Sequence, residues 1–192
     1  MENKKGLLII LSGPSGVGKG TVRKIVMRDK SLNLVYSISM TTRLPREKEV
    51  EGKDYFFVSK EIFDENIKNN NLLEYAEFVG NKYGTPRDYV ERLRNEGKNV
   101  ILEIEVNGAQ QVLSKTDKDD RISIFLVPPS IEELESRIRH RRSEEEDIIQ
   151  QRLNKAKREM SLTDQYDYVV LNDSVGRAAG EIKSIIRKNL KK

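Results

Sequence analysis

A chain of 192 residues and 22.2 kDa, 36% of them hydrophobic, is long enough for one domain with a real core. The absence of cysteine excludes a disulfide framework and a thiolate metal site. Charged residues reach 34% but the net charge is only +4, and no apolar run approaches the roughly 20 residues that span a bilayer.

The predicted elements alternate. Leu7 to Ser12 is short, apolar and β-branched enough for a buried strand, and a helix from Val22 to about Asp29 follows a glycine-rich loop. Val35 to Met40 reads as a second strand and Asp54 to Ser59 as a third. A helix from about Lys60 to Asn69 ends in an asparagine turn, and Leu72 to Val79 alternates like a half-exposed strand. Pro86 opens a helix to about Glu96. Asn99 to Val106 is a buried strand with a helix beyond Asn107, and Ile122 to Val127 is another, stopped by Pro128 and Pro129. Ser130 to Glu133 and Ser143 to Glu146 have capping-box spacing, so each starts a helix. Tyr166 to Leu171 is the last strand, before a helix to about Leu190. Alternating βα units predict an α/β fold, a parallel sheet with helices on both faces. The single domain divides into a core at about 5–38, 90–130 and 160–190, a small α+β insertion at about 39–89 and a helical segment at about 131–159.

In open sheets of this kind ligands gather at the C-terminal ends of the strands. Gly13, Pro14, Ser15, Gly16, Val17, Gly18, Lys19, Gly20 and Thr21 lie there, between first strand and first helix. Backbone N–H groups and a helix N-terminus aimed at one spot suit a phosphate chain, with Lys19 as a point charge on the β/γ-phosphates. The alternative is a tight βα turn that happens to be rich in glycine. Gly20 stands where the strict pattern has Ser or Thr, so Mg²⁺ is expected to be held mainly by phosphates and water.

The second strand leads to Ser39, Thr41, Thr42, Arg43 and Arg46, with Pro45 keeping the segment extended. Two guanidiniums beside hydroxyls make a clamp for a second phosphate; a solvated loop with scattered charge is the other reading. Glu103 and Glu105, two apart on a predicted strand, share a face. One could organise Mg²⁺ through water and the other accept from a base edge, or both could pair with basic residues. Tyr55, Glu74, Tyr83 and Thr85 could bind a nucleobase and a monophosphate. Spacing alone favours core tyrosines and a surface Glu74. Arg137 and Arg141 share a helix face and Arg152 lies on the next helix, as in a lid carrying arginines or in a plain surface hairpin. His140, the only histidine, reads as surface.

Much of the basic excess is at Lys188, Lys191 and Lys192, and no basic stripe interleaves with aromatics. No nucleic-acid partner is expected, nor a membrane one. The apolar run after Lys5 leads straight into the phosphate loop, which a secretory signal would sacrifice. A cytoplasmic protein is expected.

Together these segments resemble guanylate kinase. The resemblance rests on Gly13 to Thr21, Ser39 to Arg46, Gly52 to Phe57, Glu74 to Phe78, Gly80 to Thr85 and Ile101 to Glu105, in that order, and covers nearly the whole chain. It implies transfer of the ATP γ-phosphoryl group to GMP with Mg²⁺, and a core, a GMP-binding insertion and a lid. GMP and ATP are then the partners, with no obligate protein partner. By motif, Ser39, Arg43, Arg46, Tyr83 and Tyr55 would hold the GMP phosphate, and Glu74, Thr85 and Glu105 would read guanine. Lys19, Arg137, Arg141 and Arg152, with Arg43, would serve catalysis, Glu103 the metal through water, and Asn172 the adenine side. Gly20 fits as well, because nucleoside monophosphate kinases often carry Gly-Lys-Gly-Thr. Arg142 stands where the family commonly has glycine, at a cost in hinge freedom. The alternative is a non-catalytic guanylate-kinase-like module that binds phosphorylated partners.

Overall fold

The computed structural model describes residues 4–139 and 145–190. The chain runs β1 (Leu8–Ser12), α1 (Lys19–Val26), β2 (Leu34–Tyr36), β3 (Met40–Thr41), β4 (Phe56–Phe57), α2 (Lys60–Lys68), β5 (Leu72–Phe78) and β6 (Asn81–Pro86). It continues α3 (Arg87–Asn95), β7 (Asn99–Glu103), α4 (Val106–Lys115), β8 (Arg121–Val127), α5 (Ile131–Arg139), α6 (Glu146–Met160), β9 (Tyr168–Leu171) and α7 (Val175–Leu190). Among the described residues no helix is long and apolar enough to cross a membrane.

A five-stranded parallel sheet in the order β2-β7-β1-β8-β9 forms the body. Every residue of β1 is buried, because the strand is central and covered on both faces. Its alternation builds two cores. Ile9 and Leu11 pack with Val22 of α1, Leu134 of α5, Leu153 of α6 and Ile182 of α7. Leu8 and Ile10 face the other way, onto Val90 of α3 and Ala109 and Val112 of α4. The phosphate loop leaves the C-terminal end of β1, where the chain's neighbours diverge to β7 on one side and β8 on the other.

A second sheet, β4-β3-β6-β5, is mixed: β3 pairs parallel with β4 and antiparallel with β6. β5 and β6 form a hairpin whose turn residues, Val79 and Gly80, have φ of 50° and 70°, as a type I′ turn requires. The α/β class and both-face helices match expectation, but several boundaries differ. The predicted strand Val35 to Met40 is split between the two sheets. The strand expected over Asp54 to Ser59 shrinks to Phe56–Phe57, with Ser59 capping α2 through Ile62 N–H. β6 was not foreseen, because Gly84 and Pro86 are poor strand residues. Gly84 is required there: a Cβ would stand 2.9 Å from Glu74 O and 3.1 Å from the Phe63 ring.

Helix α1 starts at Lys19, earlier than expected, since the loop itself supplies its N-cap at Gly18. Half of the capping box at Ser130 is formed: its Oγ accepts Glu133 N–H at 3.1 Å, while the Glu133 carboxylate accepts from Arg137 Nε. The second box begins at Ser143, outside the described residues; α6 itself runs from Glu146 with Glu145 as N-cap. His140, Arg141, Arg142 and Ser143 lie outside the described residues. β7 ends at Glu103, and Glu105 is the N-cap of α4, so these carboxylates do not share a strand face.

Candidate active site

The phosphate loop has the backbone that its sequence predicts. Gly13 and Gly18 have φ of 146° and 100°, where an L-residue is strained. A Cβ at Gly13 would also stand 2.4 Å from Leu126 O, so the loop lies hard against β8. Lys19 Nζ donates to Gly13 O at 2.6 Å and Pro14 O at 3.2 Å. Burial lowers its pKa, against the pull of Glu103, Glu159 and Glu105. The loop lines a cavity of about 540 Å³ with Thr21, Arg23, Tyr36, Glu103, Glu105, Lys155 and Glu159.

The predicted arginines of α5 and α6 reach this loop. Arg152 Nη2 donates to Ser15 Oγ at 2.9 Å. Arg137 donates to Asn172 O at 3.1 Å and Val17 O at 3.4 Å, and is held by Glu133. Asn172 Nδ2 donates to Val17 O at 2.7 Å, while its buried Oδ1 has no protein partner. Arg141 is not among the described residues.

Glu103 accepts from Arg23 Nε at 2.6 Å, and the Arg23 guanidinium lies 4.0 Å from the Tyr36 ring centre. The ion-pair alternative is therefore realised, yet the carboxylate still lines the phosphate cavity. A Cβ on Gly20 would come within 3.3 Å of Glu103 Oε1, so the missing side chain leaves this carboxylate beside the loop. No cluster of three metal-ligating side chains occurs among the described residues. One carboxylate beside a phosphate loop fits Mg²⁺, which retains waters and binds through substrate phosphates.

On the second sheet, Arg43 Nη2 contacts both carboxylate oxygens of Glu49, at 2.8 and 2.9 Å. Glu49 also accepts Arg46 N–H at 2.8 Å, and its pairing holds the Arg43 pKa above the usual guanidinium value. The Arg43 guanidinium lies 5.5 Å from the Tyr55 ring centre, and Tyr55 lies edge-on to Tyr83 at 6.1 Å. Ser39, next to β3, accepts Phe56 N–H on its carbonyl at 2.9 Å. Thr41 and Thr42, expected as clamp hydroxyls, instead bond Lys82 O and Lys82 N–H and stitch the sheet.

The spacing argument for a surface Glu74 and core tyrosines is reversed. Glu74 is 7% exposed and accepts from Thr85 Oγ1 at 2.6 Å, whereas Tyr55 and Tyr83 are half-buried. Burial raises the Glu74 pKa, with the Thr85 hydrogen bond and Lys115 opposing. Glu105 is exposed and accepts from Lys155 Nζ of α6 at 2.9 Å. Burial alone would lower the Lys155 pKa; Glu105 and Glu159 raise it overall. A larger cavity of about 1140 Å³ runs between the β5 hairpin end at Phe78 and α6 at Ile148, and shares Ser15, Glu105 and Lys155 with the phosphate cavity. Glu49, Lys155 and Glu159 were missed from the sequence. Only the short separation of Glu49 from Arg46 hinted at any of them.

A parallel sheet carrying a glycine-rich loop with a half-buried lysine beyond its central strand defines a P-loop nucleotide-binding α/β protein. The guanylate kinase family model matches residues 5–189. A guanylate kinase of Mesoplasma florum is 59% identical over 97% of this chain, which spans 62% of that relative's length. One of Bacillus cereus is 56% identical over 97% of this chain and 90% of its own length. The crystal structure of guanylate kinase from Anaplasma phagocytophilum superposes with a TM-score of 0.75 at 35% identity, covering all of this chain and 90% of that one. The chain belongs to the guanylate kinase family.

Proposed function

We propose that the phosphate loop with α5 and α6 forms the ATP side of a two-nucleotide site and the second sheet the GMP side. The activity is that of a guanylate kinase: ATP and GMP give ADP and GDP, with Mg²⁺. The observation that carries the division is a half-buried phosphate-loop lysine, tied to its loop carbonyls, facing a separate wall that bears Arg43, Tyr55, Tyr83 and the buried Glu74–Thr85 pair.

Lys19 is held by the Gly13 and Pro14 carbonyls in a desolvated position, where a point charge on the β/γ-phosphates is worth most. Arg152 and Arg137 bring guanidiniums to the same loop, and Arg141 is assigned alongside them. Asn172 serves the adenine side. Arg43, Arg46, Tyr55, Tyr83 and Ser39 hold the acceptor phosphate. Glu74, Thr85 and Glu105 read guanine, whose N1–H and 2-amino donors suit carboxylate acceptors; adenine offers neither. No side-chain base is needed, because phosphoryl transfer is mainly positioning and electrostatic stabilisation. Glu103 would hold Mg²⁺ through water, and the ion would supply charge neutralisation at the phosphate oxygens.

The region at about 39–89 then acts as a GMP-binding insertion and that at about 131–159 as a lid on a core of the remainder. The enzyme is placed in the cytoplasm, with GMP and ATP as its partners and no nucleic acid, membrane or obligate protein. The non-catalytic module gains no support from a phosphate loop that keeps Lys19 and its glycines. A coupled assay with ATP and Mg²⁺ across GMP, AMP, dTMP and UMP tests the reading. Preferential turnover of GMP is expected; equal or faster use of another monophosphate would overturn it.

A further inference from the structure

We infer that Gly108 is a specificity-determining residue, which makes the room that the buried Glu74 carboxylate occupies. The inference rests on the reading of Glu74 as a guanine acceptor and adds the residue that lets it be one. Gly108 lies in the first turn of α4, where glycine is the poorest helix former after proline. Its φ is not in the left-handed region, so any residue could adopt this backbone. Space, not conformational freedom, explains the glycine. A Cβ there would stand 2.7 Å from Glu74 Oε2, 3.3 Å from Cδ and 3.4 Å from Cγ. The three nearest atoms all belong to one side chain.

Neither partner can withdraw easily. Glu74 is pinned by Thr85 Oγ1 at 2.6 Å, and its backbone lies against Gly84 on the other strand. Helix α4 is tied to β5 on both sides of Glu74. Gln111 accepts Tyr75 N–H at 3.1 Å and donates to Tyr75 O at 2.9 Å, and Lys115 donates to Leu72 O at 3.3 Å. A methyl group at 108 therefore has to turn the carboxylate off Thr85 and out of its reading position, rather than move the helix.

The test uses the full chain with Gly108→Ala, Glu74→Asp, Glu74→Gln and the Gly108→Ala/Glu74→Asp double variant. Steady-state KM is measured for GMP and ATP, turnover for GMP against IMP (which lacks the 2-amino group), and folding by thermal melts. In Gly108→Ala, KM for GMP is expected to rise roughly tenfold (about 1.4 kcal/mol). KM for ATP should stay put and the preference for GMP over IMP should fall. Aspartate is shorter by one methylene and draws back from position 108. In that background the added methyl should cost much less than in the wild type. That double variant also decides the matter if Gly108→Ala alone does not fold. An unchanged KM for GMP in Gly108→Ala, an equal rise for ATP, or full additivity in the double variant overturns the inference. If Glu74→Gln itself leaves GMP use intact, the reading of Glu74 fails instead.

Discussion

Arg43 gives one guanidinium nitrogen to both oxygens of Glu49, and Glu49 in turn accepts the backbone N–H of Arg46. One carboxylate thus fixes both the side chain of the first arginine and the main chain of the second. Changing Glu49 to Gln removes the charge-assisted part of that anchor and keeps the shape. KM for GMP is expected to rise several-fold, with KM for ATP unchanged. A matching rise in the ATP constant would show that Arg43 does not belong to the acceptor side.

Lys19 makes the sharpest prediction on rate. Replacing it by Ala removes a desolvated charge from the loop, and kcat should fall on the order of 100- to 1,000-fold, as for loss of an oxyanion-hole donor. The thermal midpoint should move little, because among the described residues the hydrogen bonds of Lys19 go to carbonyls of its own loop. Near-normal turnover would refute its assigned role.

Glu74 gives a pH dependence with a definite sign. Burial raises its pKa, so its protonated form is the one that favours folding. That contribution is present below the unfolded pKa of about 4.3 and is lost as pH rises through the folded value. Guanine recognition demands the opposite, since only the ionised carboxylate is a pure acceptor. KM for GMP should therefore climb as pH falls through the raised pKa of Glu74. The GMP phosphate also titrates, near about pH 6. Comparison with Glu74→Gln isolates the carboxyl: the variant should lose the Glu74 limb and keep the phosphate one. Identical profiles would remove Glu74 from the base site.

Val79 is 79% exposed and β-branched, yet sits at φ 50° in the turn between β5 and β6. Left-handed backbone costs such a residue about 1–2 kcal/mol. Val79→Asn, the residue favoured there before glycine, should recover about 1 kcal/mol. For a chain of this size that is a rise in Tm of roughly 2–4 °C. A lower midpoint by calorimetry would mean that Val79 makes a contact which outweighs the strain.

Much of the fold was legible in the sequence because its signals are short-range. The run into Gly13, the serine at 130 three residues before Glu133, and the strand–helix alternation each depend on neighbours within a few residues. The misread pieces share a cause. β6 carries Gly84 and Pro86 against local strand preference; it forms by pairing with β3 and β5, and Phe63 and the backbone of Glu74 leave no room for a side chain at position 84. Glu105 looked like the end of a strand, but β7 stops at Glu103 and the next turn belongs to α4.

By itself the sequence determined the class of chemistry, since a glycine-rich loop with its lysine is a local device that works wherever a strand and helix flank it. It also carried the family resemblance through ordered motifs. Only the tertiary structure decided which polar groups meet. Burial of Glu74 against Thr85 and Gly108, the hold of Glu49 on Arg43, and the bridge from Lys155 to Glu105 join residues from different elements. Hydrogen bonds and van der Waals contacts act over a few ångströms, and no spacing along the chain reports which distant side chains packing will bring that close.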